Sequence, residues 1–133
     1  MAGWGTGSFE NEEAQGFLRQ LKSLGADDLR KILAGAADEA YSEARESSVA
    51  IAAAEVIAAM KGTPSIKVPP EIADWMATVQ TGPAPDLTEL ARRAVHKVRT
   101  NSELKDLWLQ AEGLNEWSAV LRDLEQRLSN GPD

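Results

Sequence analysis

The sequence of 133 residues contains no cysteine, a single histidine and, at 5 %, few aromatic residues. Without cysteine there is no disulfide framework and no thiolate nucleophile or ligand. A lone histidine, His96, with no cysteine and no His/Glu spacing motif gives no metal-binding pattern, and it lies off the apolar stripe, as a solvated residue does. We therefore expect no metal and no thiol chemistry.

The chain also lacks a membrane-length apolar run, which takes about 20 residues, and its first residues lack the pattern of a signal peptide. We expect a cytoplasmic protein. Basic residues are in deficit, because 14 Lys and Arg stand against 21 Asp and Glu, a net charge of −7. Nucleic acids and anionic lipids repel such a surface, so we expect no nucleic-acid and no membrane partner, whereas a basic protein partner suits the charge. Acidity that serves only solubility is the alternative.

The most unusual stretch is Ser47 to Lys61, in which Glu55 is the only charge between Val49 and Met60. A helix that is apolar on every face has to be surrounded by its neighbours. We therefore predict that this alanine-rich segment is a buried central helix.

Apolar residues elsewhere recur at the three-and-four spacing of amphipathic helices, and no convincing strand alternation occurs. Composition is globular, with 43 % hydrophobic and 26 % charged residues. The sequence predicts an all-α protein, a single domain over residues 1–133 with five to seven helices packed around the central one. Residues 1–10 form an ordered Gly/Trp-rich loop in this prediction, and residues 62–70 and 81–85 are proline-containing connectors.

The second helix is predicted from the apolar stripe between Leu29 and Ala44, which includes Tyr41, with a cap at Asp27 or Asp28. Gly35 lies inside this helix. We expect it to mark the close approach of the central helix, because a glycine at that position otherwise costs about 1 kcal/mol relative to alanine.

Several residues predict where the later helices begin and end. Ser47 or Ser48 is expected to cap the central helix, and Gly62 to end it. Pro70 suits the first position of a short helix. The apolar spacing from Leu104 to Leu128 is almost continuous, and we favour a break at Gly113 that divides it into two helices.

The glycine-rich opening, Gly3 to Ser8, invites comparison with phosphate-binding loops, because glycine-rich turns before helices expose amide donors. No strand precedes this loop, its spacing matches no nucleotide motif, and glutamates crowd the position of a phosphate. We favour a structural interpretation, in which Trp4 and Phe9 fill grooves between helices; a loop that presents Trp4 to a partner is the alternative.

The N-terminal segment resembles the opening signature of a bacterial family, domain of unknown function 4259. The residues that carry the resemblance are Gly3-Trp4-Gly5-Thr6-Gly7-Ser8-Phe9-Glu10-Asn11-Glu12, with further similarity at Ala52 to Val56, Leu107-Trp108 and Glu116-Trp117. The similarity therefore extends over nearly the whole chain. It implies a fold and a bacterial source, and it implies no reaction.

Glu55 is the most informative single residue, because a carboxylate on an apolar helix costs several kcal/mol unless donors or a cation meet it. Candidate donors are the amides of the Gly3 to Gly7 loop, the indole of Trp4, and an arginine such as Arg92 or Arg93. We hypothesise that the loop and the indole supply them, so that Trp4, Gly5, Gly7 and Glu55 form an internal clamp for the N-terminal loop.

Four tryptophans are many for a chain with seven aromatic residues, and core packing is the expected use for most of them. Trp75 lies in a short helix between two proline-rich connectors, where packing is expected to be thinnest. We predict Trp75, or failing that Trp4, as an anchor for a partner.

No nucleophile, acid/base pair, metal set or cofactor loop stands out, so we assign no catalytic, metal or cofactor residue and expect no cofactor. The favoured function is a small protein-interaction module, an immunity-type or regulatory protein of unspecified oligomeric state. The alternative is a small-molecule binder or enzyme with a site between the N-terminal loop and Glu55. A deep polar cavity beside Glu55 would favour this alternative, whereas a filled core with a flat acidic face would favour the interaction module.

Overall fold

Seven α-helices make up most of the computed structural model, which describes residues 5–65, 68–79, 83 and 85–129. Their bounds are α1 Glu12–Gln20, α2 Ala26–Asp38, α3 Ala44–Lys61, α4 Pro70–Thr78, α5 Pro85–Thr100, α6 Glu103–Gln110 and α7 Leu114–Ser129, with a 3₁₀ turn at Leu21–Ser23 after α1. Over these residues no β-strand is present, only an isolated bridge between Ser42 and Ser102. The all-α prediction is confirmed.

Helix α3 is the centre of the fold, as predicted. Every residue from Ala50 to Ala59 is buried, and the other six helices all contact α3. Alanine side chains let these neighbours approach closely on all sides, which removes the whole helix from water. None of the described helices is long and apolar enough to cross a lipid bilayer.

Helix α5 is the principal amphipathic partner of α3, and it also contacts α2 and α7. Its buried residues are those of the predicted stripe: Leu87, Leu90, Ala91, Ala94, Val95 and Val98. The opposite face carries charged side chains that pair within the chain. Arg92 binds Glu89, and Arg99 binds Glu125.

The helix boundaries follow local signals at several predicted points. Gly62 ends α3 with a left-handed backbone at φ +95°, and Pro70 is the first residue of α4. Ser102 caps α6, with its hydroxyl accepting a hydrogen bond from the Lys105 amide at 3.1 Å. The break at Gly113 is confirmed, since α6 ends at Gln110 and α7 begins at Leu114.

The boundary between α2 and α3 was predicted wrongly. Helix α2 ends at Asp38 rather than Ala44, and the caps expected at Ser47 or Ser48 are absent because both serines are buried inside α3. The Ala44 amide donates instead to the Glu103 carboxylate at 2.8 Å. A cap from α6 has thus replaced the local serine cap.

Gly35 does not mark a close helix approach, contrary to expectation. It is exposed, and a Cβ atom added there would meet nothing within 4 Å. Helix α2 packs inward through Leu29, Leu33 and Ala36. Gly35 is therefore an ordinary exposed helical position occupied by a poor helix former.

The two glycines predict opposite effects of the same substitution. Gly62→Ala should destabilise the protein by about 1 kcal/mol, because an L-residue with a Cβ atom disfavours the left-handed backbone. Gly35→Ala should stabilise it by about 0.5 kcal/mol, because alanine has the higher helix propensity. Urea unfolding of the two variants and the wild type measures both changes; a loss of stability in Gly35→Ala would contradict the open surroundings described here.

Tyr41 was predicted to lie on the apolar stripe of α2 and so to be buried. In the structure it follows the end of α2 and is 50 % exposed. Its hydroxyl donates a hydrogen bond to the Asp106 carboxylate. That hydrogen bond, with smaller effects of desolvation and of the Asp106 and Glu103 charges, raises the pKa of Tyr41 to about 12.

Because Tyr41 is the only tyrosine, an ultraviolet titration of the phenolate should report its pKa directly. We expect a midpoint near pH 12 in the folded protein and one close to the ordinary value, about 10, in Asp106→Asn. The stabilising contribution of the raised pKa is complete below pH 10 and is lost as the pH rises towards 12. Equal midpoints in the two proteins would contradict the hydrogen bond.

Candidate functional site

Glu55 is the buried carboxylate at the centre of the candidate site. It lies on α3 with 4 % of its surface exposed. Arg127 of α7 binds it with both terminal nitrogens, Nη1 to Oε1 at 2.9 Å and Nη2 to Oε2 at 3.0 Å. The Ser8 hydroxyl donates to Oε2 at 2.7 Å. A cation and a hydroxyl thus offset the cost of burying this charge.

Arg127 joins more than the two helices. Its Nε donates to Asp123 Oδ2 at 2.8 Å, and its Nη1 donates to the Thr63 carbonyl at 3.2 Å. The Thr63 hydroxyl in turn donates to the Arg127 carbonyl at 2.9 Å. Burial acts to lower the pKa of Arg127. The hydrogen bonds and charges of Glu55 and Asp123 outweigh this effect, so the pKa lies above its ordinary value.

The N-terminal loop, described from residue 5 to residue 10, is held by the Glu10 side chain. The Gly7 amide donates to Glu10 Oε1 at 2.8 Å, and a Cβ atom added at Gly7 would lie only 2.6 Å from that oxygen. An added Cβ at Gly5 would be closer still. Glycine at both positions therefore leaves room for the carboxylate to fold over the loop.

The loop and Glu55 do come together, but through different atoms from those we hypothesised. No Gly5 or Gly7 amide donates to Glu55 in the described part of the loop; Ser8 and Arg127 are its donors. Trp4, the remaining member of the hypothesised clamp, lies outside the described residues. The role of this arrangement as a clamp stays a prediction.

Arg92 and Arg93 are not the arginines that meet Glu55. Arg92 binds Glu89, one turn earlier on α5, and the Arg93 guanidinium lies 4.0 Å from the Asp38 carboxylate. The lone histidine, His96, is exposed on the same helix, 3.2 Å from Glu125, as expected of a surface residue. In the described chain, no group of three or more acidic or histidine side chains is placed to hold a metal ion.

Trp75 is not an exposed anchor, and that prediction needs correction. Its side chain is buried, and its indole nitrogen donates to the Leu24 carbonyl at 2.9 Å. Helix α4 packs against the 3₁₀ turn that follows α1, and this contact covers the ring. Trp108 and Trp117 are also buried, as expected for core residues.

An open cleft of about 960 Å³ lies beside Glu55, and we call it the Glu55 cleft. Its walls are the N-terminal loop, the connector between α3 and α4, and α7. Apolar residues supply most of its surface: Phe9, Val68, Pro69, Pro70, Ala119 and Val120. The polar lining includes Glu10, Glu55, Asp123 and Arg127. The volume is near the upper end of the range for ligand sites in proteins, about 300–1,000 Å³.

The comparisons with known proteins add a family but no activity. The model of the family described as Domain of unknown function (DUF4259) matches residues 3–120. The match takes in α1 to α6 and the first part of α7. Neither the curated proteins nor the solved structures gave a match to this chain.

Removal of the Glu55 charge should expose the importance of its pairing with Arg127. We expect Glu55→Gln to lower the free energy of unfolding by about 3 kcal/mol, because the partly buried guanidinium of Arg127 loses its main partner. Asp123→Asn is the control, since that carboxylate binds the same arginine from an exposed position and should cost less than about 1 kcal/mol. Urea unfolding measures both values.

A double-mutant cycle separates pairing from general packing damage. Glu55→Gln combined with Arg127→Met should cost less than the sum of the two single changes, by about 1–3 kcal/mol, because each single change leaves the other side chain, buried Glu55 or partly buried Arg127, without its main partner. Additive costs would show that the two side chains do not stabilise each other.

Proposed function

The chain belongs to the DUF4259 family, and we propose that it is a protein-interaction module that binds a segment of a partner protein in the Glu55 cleft. The cleft itself is the observation that carries this proposal. It combines a volume of about 960 Å³ with mainly apolar walls and an opening to solvent. An extended or helical segment of a partner could place apolar side chains against such walls.

The walls of the cleft are fixed to one another, which favours binding without a large ordering cost. Ser8 belongs to the N-terminal loop, Thr63 to the connector and Arg127 to α7. Ser8 and Arg127 donate hydrogen bonds to Glu55 directly. Thr63 is linked to Glu55 through its hydrogen bonds with Arg127. One hydrogen-bonded network links the three walls at these residues, which lowers the ordering cost of binding relative to walls that are not linked.

The polar side chains around Glu55 argue against a catalytic role. Both Glu55 oxygens accept hydrogen bonds from Arg127, and Oε2 accepts a further one from Ser8. A general base needs an oxygen within reach of a substrate proton, whereas Glu55 is buried and already accepts three hydrogen bonds from internal donors, out of about four that a carboxylate can accept. The arrangement therefore favours binding over proton transfer.

A small-molecule ligand is the second candidate, because the cleft has the volume of such a site. The lining is less suitable for a small polar metabolite than for apolar side chains, since most of its surface is hydrophobic. A library of drug-like and metabolite-like fragments, screened by protein-observed NMR, would detect this second kind of ligand in the same cleft.

The test of the proposal is selection of peptides from a random dodecapeptide phage library against the wild-type protein. We expect enriched peptides whose affinity falls at least about tenfold in Ala119→Arg, because a long charged side chain on α7 would enter the cleft. Ala119 is exposed on its helix, so the variant should fold. Fluorescence anisotropy with the labelled peptides measures the affinities.

Ala111→Arg is the matched control, an exposed alanine after α6 that does not line the cleft. Peptides should bind this variant as they bind the wild type. Equal binding to Ala119→Arg and the wild type, or no enrichment at all, would contradict a peptide-binding cleft.

A further inference from the structure

We propose that the partner segment recognised by the Glu55 cleft is basic as well as apolar, and that Glu10 and Asp123 bind its lysine or arginine side chains. This inference rests on the proposed function, since it specifies the chemistry of the segment that the cleft takes. Three features of the cleft support it: the charge of the lining, the hydrogen bonds that its polar groups already make, and the positions of Glu10 and Asp123 on two of its walls.

The lining carries an excess of negative charge. Four ionisable side chains of the described residues contribute to it, namely the carboxylates of Glu10, Glu55 and Asp123 and the guanidinium of Arg127. The net charge of these side chains is negative, as is the net charge of the whole chain, −7. An acidic segment would meet repulsion there, and a basic segment would be attracted.

Among the described residues of the lining, the only cation, Arg127, already has partners within the protein. Arg127 directs four of its N–H donors at atoms of the protein: two at Glu55, one at Asp123 and one at the Thr63 carbonyl. One N–H, on Nη2, remains, so a carboxylate or phosphate from a partner could bind with two parallel hydrogen bonds only by displacing an internal one. Arg127 consequently does not make the cleft an anion site.

The acidic side chains differ in what they can still accept. Glu55 is buried and accepts three hydrogen bonds. Asp123 is 65 % exposed and uses one oxygen for Arg127, and Glu10 is exposed and uses one oxygen for the Gly7 amide. Each carboxylate can accept several hydrogen bonds, so Glu10 and Asp123 retain the capacity to bind an ammonium or guanidinium group.

Two walls of the cleft, α7 and the N-terminal loop, each place an apolar residue next to one of these carboxylates. On α7, Ala119 and Val120 lie four and three residues before Asp123, which puts all three on one helical face. On the N-terminal loop, Phe9 directly precedes Glu10. A segment in which lysine or arginine alternates with apolar residues matches this pattern on both walls.

Peptides from the dodecapeptide selection described above supply the test. We expect the enriched sequences to combine lysine or arginine with apolar residues, and their affinity to fall about threefold to fivefold in Asp123→Asn and in Glu10→Gln. Binding should weaken as salt is raised, with a shallower salt dependence in the two variants. Asp27→Asn, an exposed carboxylate on α2 outside the cleft, is the matched control and should bind as the wild type does.

The outcomes separate this inference from the proposed function. Peptides that lose binding in Ala119→Arg but are acidic or uncharged, and that ignore Asp123→Asn and Glu10→Gln, would overturn the basic segment and leave the cleft as a binding site. Basic peptides that bind Ala119→Arg as well as the wild type would overturn both. A loss of affinity in Asp27→Asn equal to that in Asp123→Asn would show general charge attraction and also overturn recognition at the cleft.

Discussion

The charge of Glu55 is the constraint on which the rest of this structure depends. A carboxylate buried in the middle of a helix that is surrounded on all sides costs several kcal/mol unless a cation and further donors meet it. Helix α7 meets that requirement with Arg127, and the N-terminal loop meets it with Ser8. Two segments at opposite ends of the chain are thereby tied to the central helix at one point.

The same pair of side chains also lines the cleft beside the tightly packed core. The alanine-rich face of α3 lets most neighbours approach directly, whereas at Glu55 a long arginine side chain stands between α7 and α3. Arg127 also holds the connector through the Thr63 carbonyl. These hydrogen bonds link α7, α3 and the start of the connector at the edge of the cleft.

Local patterns were sufficient for much of the fold. The burial of α3, the stripe of α5, and the helix boundary at Gly62 all follow from residues within a few positions of one another. The start of α3 could not be predicted in this way, because Glu103, which caps it at the Ala44 amide, is 59 residues away along the chain. The prediction that Trp75 is exposed was wrong for a similar reason. Its helix, α4, packs against the 3₁₀ turn at Leu21–Ser23, which is distant along the chain.

The candidate site shows the same division between what is local and what is not. The apolar neighbours of Glu55 in the sequence indicate that its carboxylate is buried. The cost of burying that charge led to the prediction that other groups bind it, and the structure shows such groups. The sequence did not show which of its arginines binds Glu55, because Arg127 is 72 residues away along the chain. One signal was available: Arg127 borders the apolar stripe of α7, one residue before the buried Leu128. Arg127 at the edge of the buried face of α7 complements the charge of Glu55 inside α3. The two side chains meet only because α7 packs on α3.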